Sequence, residues 1–432
     1  MLKQLAKYFL FPFSLIFCSP SYSELPSPKI FKTDKENSWI EFHGEKNFIH
    51  GINHAWLDGK YDHDFALNHL HPSWGVEYNA SHVENYLSDM QNMGAKVVRL
   101  WLMEGLEGLV FDSSRNKVTD LRPELLTNFD DFLKRCKNHG LFCYLCLTDT
   151  FLNVGERNYL SILTDEQRMN SYLENAVRPI AQRYGNNPNI FAFDIMNEPE
   201  SDISGNNGNW TPNGVSWQQM QNFLSKNVQV IKEEAPNLLV SAGSGYHGLE
   251  NVTAGFYSGL GLDFYDAHIY DDNGNFPSFN SLGLDLPCLI GEYGQASGSW
   301  NDELQRSVTQ NLINNSFNND FAGELIWQYN YPGCSEIYTL INSDSSWRPA
   351  CFEIQDFALS HSFDIDLPLA TSPTKTPTKI PTPTQTQTPT RTLTLIFSTP
   401  TPTQSISEKL FNLSNSWHNP TTPNDLIELL EN

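Results

Sequence analysis

The chain has few positive charges and no long hydrophobic run beyond its first residues. Lys and Arg number 27 against 50 Asp and Glu, which gives a formal net charge of −23 at pH 7. A field of that sign repels nucleic acid and an anionic membrane surface alike, so neither is expected as a partner. No later stretch approaches the roughly 18 uncharged apolar residues of a membrane-spanning helix.

Two common classes of cofactor motif are also missing. The seven cysteines form no CxxC…CxxC zinc pattern, and no GxGxxG or GxxxxGKS/T sequence follows an early predicted strand. The sequence therefore predicts neither a resident metal nor a nucleotide, and we expect the protein to need no cofactor.

Aromatic and apolar residues, in contrast, are plentiful. Hydrophobic residues make up 39% of the chain and aromatic residues 12%, with ten Trp. This is ample material for a large core and excludes global disorder. Many aromatic rings together with abundant Asn suit a protein that stacks on neutral, hydroxyl-rich ligands.

The N-terminus resembles a secretory signal. Two lysines precede an apolar run over residues 8–18, and small residues follow at 21–23. This is the order of n-region, h-region and cleavage site, and the run is too short to span a bilayer. We predict a signal peptide over 1–23 and a secreted, extracellular protein without a membrane anchor. Lipid attachment at Cys18 is the alternative, although Phe17 fits that motif poorly.

Six cysteines remain after Cys18, which leaves 15 possible disulfide connectivities. Cys143 and Cys146 lie three apart in one predicted strand and point to opposite faces, so they cannot pair with each other. Cys334 and Cys351 lie in loop-like sequence and are the favoured pair. The others are expected to be buried thiols.

The C-terminal part differs sharply in composition. Thr and Pro dominate residues 371–403, which contain no acidic residue and no Gly. Such a segment cannot bury a core, and we predict a Thr/Pro-rich linker over 364–404. The remaining tail, 405–432, is too short for an independent domain.

Between the signal and the linker, strand-length apolar runs alternate with helix-length amphipathic stretches. The predicted strands are Phe48–His54, Lys96–Leu102, Leu141–Thr148, Ile190–Asn197, Leu238–Ala242, Phe264–Ile269, Cys288–Gly291 and Gly323–Gln328. The predicted helices are Ser81–Met93, Pro123–His139, Asp165–Tyr184, Ser216–Glu234, Asn301–Asn318 and Pro349–Ser360. Eight strands, each followed by a helix or a helix-length connection, predict an α/β fold, a (β/α)8 TIM barrel over 24–363, with a doubly wound sheet as the rival.

Two carboxylates follow predicted strands at the end of a barrel where chemistry is expected. Glu198 comes directly after the fourth strand and Glu292 after the seventh, and these strands face each other in an eight-stranded barrel. Glycoside hydrolases use two opposed carboxylates, one as proton donor and one as nucleophile or base. A helix cap or an ion pair is the purely structural alternative for Glu198.

These motifs resemble glycoside hydrolase family 5, a clan A family of retaining enzymes. Asn197-Glu198-Pro and Gly-Glu292-Tyr-Gly match its two catalytic glutamates, in the order expected on successive strands. The resemblance implies that Glu198 is the acid/base, that Glu292 is the nucleophile, and that the Trp327–Gln328 peptide is cis. It also implies a role in substrate binding for Arg99, Asn197, His268, Tyr270 and Trp327.

The loop after the first strand supplies further candidates. We assign His54 and Trp56 to substrate binding, with Trp74, Trp210 and Trp300 as possible stacking platforms or, alternatively, packing residues. A metal site at Asp62-His63-Asp64 and His69-x-His71 is another alternative, but its spacing fits no metal motif and this chemistry needs no metal.

One departure from the family pattern bears on the substrate. Many members carry a His at the end of the third strand, where this chain has Thr148-Asp149-Thr150. Mannan-active members often lack that His, so we predict a monomeric enzyme that acts on a β-linked polysaccharide, with β-1,4-mannan ahead of β-1,4-glucan. An exo-acting β-mannosidase or glucosidase, and a non-catalytic carbohydrate-binding barrel, are the alternatives.

Overall fold

The computed structural model describes residues 31–57, 64–67, 75–151, 158–204, 214–245, 247–270, 276–294, 301–330 and 338–361. The predicted signal peptide, linker and tail lie outside these ranges. The chain divides into two units at Ser372, and everything described below belongs to the first.

Eight parallel strands form a closed barrel in chain order, and the last strand pairs with the first. This confirms the predicted (β/α)8 barrel and excludes the doubly wound sheet, whose edges do not close. The barrel strands are Ile49–Asn53, Val97–Trp101, Phe142–Cys146, Ile190–Asn197, Leu239–Ser244, Tyr265–Ile269, Cys288–Tyr293 and Gly323–Ile326.

Helices cover the outside of the barrel and side chains fill its inside, so the strands are buried on both faces, as the continuous apolar runs predicted. Pro123 stands at the first position of one helix, and Ser216 forms a capping box with Gln219 at another. The predicted helix over 165–184 is interrupted by a π turn at Leu173–Val177. The α-helices are Ala80–Asn92, Pro123–Asn138, Ser161–Thr164, Glu166–Tyr172, Arg178–Tyr184, Trp217–Glu234, Gly248–Thr253, Phe279–Leu282, Asp302–Asn318 and Pro349–His361.

A small antiparallel sheet closes the N-terminal end of the barrel. Its strands are Phe31–Asp34, Trp39–Phe42 and Glu45–Asn47. The ring of Phe31 packs 4.9 Å from the ring of Phe142 inside the barrel. Because side chains fill this end in the described part of the chain, we look for a ligand site at the opposite end. A second hairpin, Leu109–Phe111 with Val118–Leu121, follows the second barrel strand.

The described cysteines are free buried thiols. Cys351 lies within the last helix, not in a loop, and its thiol donates to the carbonyl oxygen of Leu340 at 3.2 Å. Cys334, its favoured disulfide partner, lies outside the described residues. None of the helices in the described ranges is long and apolar enough to cross a membrane.

Candidate active site

Glu198 leaves the fourth barrel strand in a left-handed conformation, with φ of 41°. Its backbone N–H donates to the carbonyl oxygen of Gly243 on the next strand at 2.8 Å. A Cβ placed on Gly245 would lie 2.2 Å from the carboxyl carbon of Glu198, so only glycine leaves room for this side chain. Asn197 and Glu198 can face the same space because the left-handed residue breaks the alternation of side chains along the strand.

The two glutamates predicted to be catalytic lie close together. One carboxylate oxygen of Glu198, one of Glu292 and a ring nitrogen of His268 are all within 4.8 Å of one another. Retaining glycosidases separate their carboxyl groups by roughly 5–5.5 Å, and inverting enzymes by roughly 6.5–9.5 Å. An approach of the two oxygens within 4.8 Å agrees with the shorter spacing of retaining enzymes, and it favours direct attack by a carboxylate.

Arg99 is completely buried and holds Glu292 in place. Its Nη1 donates to Oε1 of Glu292 at 2.6 Å and to Oδ1 of Asn53 at 3.0 Å. Its Nη2 donates to Oδ2 of Asp194 at 2.7 Å. Two carboxylates thus compensate the buried guanidinium, which fixes its orientation. Asp194 was not identified from the sequence as a site residue. An acidic residue inside the buried run 190–197 nevertheless indicates that a partner compensates its charge.

The carboxylate of Glu292 receives a second donor from Tyr270. The tyrosine hydroxyl donates to Oε2 at 2.7 Å, while the residue as a whole is 40% exposed. Burial raises the pKa of Glu292 above its ordinary value, and the positive charge of Arg99 opposes that shift. Arg99 and Tyr270 both stabilise the ionised form, as a nucleophile requires.

Glu198 has a different environment. Burial raises its pKa to about 7, opposed by the charge of Arg99. Nδ1 of His268 lies 2.8 Å from Oε1 of Glu198 and 3.5 Å from Oε2 of Glu292. Burial lowers the pKa of His268, so the imidazole is neutral near pH 7. Near neutral pH Glu198 is therefore protonated in a large fraction of molecules, as a proton donor must be.

Three tryptophans form an aromatic cluster at or just after the ends of barrel strands. The Trp327 ring is partly buried, and the centroids of Trp56 and Trp101 lie 5.5 and 5.8 Å from it. Nε1 of Trp56 donates to the carboxylate of Glu104, which fixes that ring. The Trp327–Gln328 peptide is cis, as the resemblance implied. Trp101 was not identified from the sequence as a site residue, although it ends the second barrel strand.

His54 has a different position from the one expected. It is 1% exposed, and its ring packs edge-on against Tyr86 and Tyr329, with centroids 5.0 and 5.1 Å away. Burial lowers its pKa to about 3. Because its ring is enclosed by these two aromatic rings, we interpret His54 as a packing residue.

Glu200 was also not identified from the sequence as a residue of the site. Its carboxylate accepts hydrogen bonds from the side chains of Ser244, Asn251 and Tyr257 and from the backbone N–H of Gly245. The bonds from Ser244 and Gly245 join the turn after the fourth strand to the end of the fifth. Those from Asn251 and Tyr257 join it to the following helix and to the turn after that helix. The glycine that makes room for Glu198 is held in place by this network.

Several sequence candidates lie outside the described residues. Of the residues in the alternative metal site only Asp64 is described. Its Oδ2 accepts a hydrogen bond from the backbone N–H of Leu57 at 3.0 Å. The other candidates outside the described ranges are Asp62, His63, His69, His71, Trp74, Trp210 and Trp300.

Within the described ranges, Glu198, His268 and Glu292 are the one group of three whose ligand atoms are close enough to hold a metal ion. The guanidinium of Arg99, 2.6 Å from Glu292, would repel a cation at that carboxylate. The arrangement fits acid–base and nucleophilic chemistry better than metal binding.

Comparison with known proteins agrees with this geometry. Residues 58–333 match the family model described as Cellulase (glycosyl hydrolase family 5). A mannan endo-1,4-beta-mannosidase of Mytilus edulis is 27% identical over 299 residues, 60% of this chain and 79% of that protein. A protein of the same name from Cryptopygus antarcticus is 24% identical over 375 residues, 78% of this chain and 93% of that protein.

Solved structures share the fold. The beta-mannanase of Mytilus edulis superposes with a TM-score of 0.59 at 22% identity, covering 77% of this chain and 97% of that chain. The endo-1,4-beta-mannanase of Eisenia fetida gives the same TM-score at 19% identity, covering 76% of this chain and 95% of that chain.

Proposed function

We propose that this chain, which belongs to glycoside hydrolase family 5, cleaves β-1,4-mannan internally and with retention of configuration. The observation that carries the mechanism is the close approach of Glu198 and Glu292, within 4.8 Å. The choice of mannan is supported by the names of the relatives and by the segment Thr148-Asp149-Thr150 after the third strand, which lacks the His that many family members carry there.

In the first step, Glu292 attacks the anomeric carbon and Glu198 gives its proton to the departing glycosidic oxygen. Arg99 and Tyr270 hold the attacking carboxylate before the reaction. The products are a covalent glycosyl-enzyme ester and a shortened chain with a new hydroxyl end.

In the second step, Glu198 acts as a base. Esterification removes the negative charge of Glu292, which lowers the pKa of Glu198 and favours its ionised form. The carboxylate then takes a proton from water as the water attacks the anomeric carbon, and Glu292 leaves. Asn197 contacts the sugar 2-hydroxyl, and Trp327 offers an apolar ring face to the sugar in the reacting subsite.

The pH dependence of kcat/KM is expected to be bell-shaped. Activity needs protonated Glu198, so it falls as pH rises through about 7. It also needs ionised Glu292, whose pKa burial raises, so the acidic limb lies above the ordinary value for a glutamate. Burial raises the pKa of Asp149 and Glu200 to about 7 as well, and the charge of Glu198 adds to both shifts. The alkaline limb is therefore the loss of the Glu198 proton, at an apparent pKa that its interactions with these two carboxyls help to set.

The assignment of the alkaline limb is tested with Glu198→Ala and an aryl glycoside whose good leaving group needs no proton. The alkaline limb should flatten in this variant, since no proton donor remains to be titrated. An alkaline limb at an unchanged pH would contradict the assignment to Glu198.

The substrate is tested by assaying the purified protein on mannan, cellulose, xyloglucan and mixed-linkage glucan. We expect the highest kcat/KM on mannan, with viscosity falling before much reducing sugar appears, as internal cleavage requires. A preference for cellulose would overturn the mannan assignment, and release of single sugars from chain ends would show exo action. No activity on any β-glycan would favour the carbohydrate-binding alternative.

We also propose that the enzyme is exported and acts as a monomer, with its catalytic domain confined to 24–363. The order of charges, apolar run and small residues at the N-terminus supports export. N-terminal sequencing of the protein from culture medium should begin near residue 24, and retention in the cytoplasm would contradict export.

A further inference from the structure

The orientation of the Asn197 amide follows from its neighbours. Nη2 of Arg99 lies 2.8 Å from one amide atom. A guanidinium has donors and no acceptor, so that atom must be the oxygen, Oδ1. The amide nitrogen, Nδ2, then faces away from Arg99, and it donates to Oδ1 of Asp149 at 3.3 Å.

Asp149 is itself held in position by the loop that follows the third barrel strand. The preceding residue, Thr148, accepts at its carbonyl oxygen from the backbone N–H of Asn197 at 2.9 Å. Two residues further on, the backbone N–H of Phe151 donates to Oδ2 of Asp202 at 2.7 Å. Asp149 therefore lies on a segment tied at both ends to the strand-four side of the site, and its side chain is only partly buried.

We propose that Asp149 is a positioning residue, which acts through Asn197. Arg99 on one side and Asp149 on the other fix the rotation of the Asn197 amide. One of the two Nδ2 hydrogens is used by Asp149, and the second is left for an oxygen of the sugar in the reacting subsite. This inference rests on the proposed function, in which Asn197 contacts the 2-hydroxyl.

The contact to the 2-hydroxyl strengthens in the transition state, so poor positioning of Asn197 should affect kcat more than KM. Asp149→Ala removes the acceptor and is expected to lower kcat roughly tenfold, the loss of about one hydrogen bond, with KM nearly unchanged. Asp149→Asn keeps an oxygen that can accept from Nδ2 and should restore most of the activity. A variant of an exposed aspartate on the last helix, Asp356→Asn, is the matched control and should behave as the wild type.

A double-mutant cycle tests the proposal. Asn197→Ala is measured alone and together with Asp149→Ala, on mannan at one pH, and thermal unfolding confirms that each variant is folded. If Asp149 acts through Asn197, the double variant has the same kcat as Asn197→Ala alone.

Additive effects, with a large effect of Asn197→Ala, would overturn the positioning role and leave the proposed function intact. A negligible effect of Asn197→Ala would instead refute the contact to the sugar, and the present inference with it. If Asp149→Ala fails to fold, Asp149→Asn decides: a loss as large as that of Asn197→Ala would show that the negative charge matters rather than the acceptor, and would overturn the proposal.

Discussion

Glu292→Ala is expected to lower kcat on mannan by roughly 10⁵-fold or more, because no nucleophile remains to form the glycosyl-enzyme. The variant should stay folded, since Arg99 keeps its hydrogen bonds to Asp194 and Asn197 and its charge is still compensated. The measurement is the initial rate of reducing-end formation, together with thermal unfolding. Glu36→Ala, at an exposed turn of the N-terminal sheet, is the control. Substantial activity in a folded Glu292→Ala enzyme would contradict the assignment.

Glu198→Ala is expected to have an effect that depends on the substrate. On mannan, whose leaving group needs a proton, kcat should fall by roughly 10²–10⁴-fold. On an activated aryl glycoside the first step should be nearly unaffected, and the covalent intermediate should accumulate because no base activates water. Steady-state and burst kinetics on the two substrates separate these steps. Equal losses in the rate of the first step on both substrates would contradict the role of Glu198 as the acid/base.

Azide provides a second readout for the same variant. A small anion needs no general base, so azide should react with the intermediate on Glu292 and restore turnover of the aryl glycoside. The product should be the β-glycosyl azide. Wild-type enzyme should show no rescue, because the Glu198 carboxylate repels the anion. An α-glycosyl azide would mean that azide replaced the nucleophile, and the roles of the two glutamates would be reversed.

The barrel could be predicted because short segments of the sequence indicate its strands and helices. The strand-length apolar runs are buried on both faces, and the helices between them begin at recognisable positions such as Pro123 and Ser216. The small N-terminal sheet could not, because its strands have three or four residues and one of them, Glu45–Asn47, is entirely polar. Such strands form through packing against the barrel and carry little signal of their own.

Side-chain direction explains the outcome at His54. Successive residues of a strand point to opposite sides. Asn53 faces the barrel interior, where it accepts from Arg99, so His54 points outward against Tyr86. Glu198 escapes the same rule because of its left-handed backbone. The resemblance to the family motif identified Glu198 from the sequence. Strand alternation alone would have placed the side chains of Asn197 and Glu198 on opposite faces.

Contacts between distant segments set the limit of sequence-based assignment within the site. Glu200 and Asp149 stand near recognised motifs, but their functions depend on partners such as Tyr257 and Asn197, 57 and 48 residues away along the chain. Only the closed barrel brings these partners together. The acidic residue Asp194 is similar, since its partner Arg99 is 95 residues away.

The most direct test of the retaining mechanism is proton NMR of the first product released from a β-linked mannan oligosaccharide, recorded before the anomers equilibrate. Two successive displacements at one carbon, the first by Glu292 and the second by water, restore the starting configuration. The spectrum should therefore show the β-anomer first, with the α-anomer growing in later by mutarotation. Initial appearance of the α-anomer would mean a single displacement by water and would contradict the roles given to both Glu198 and Glu292.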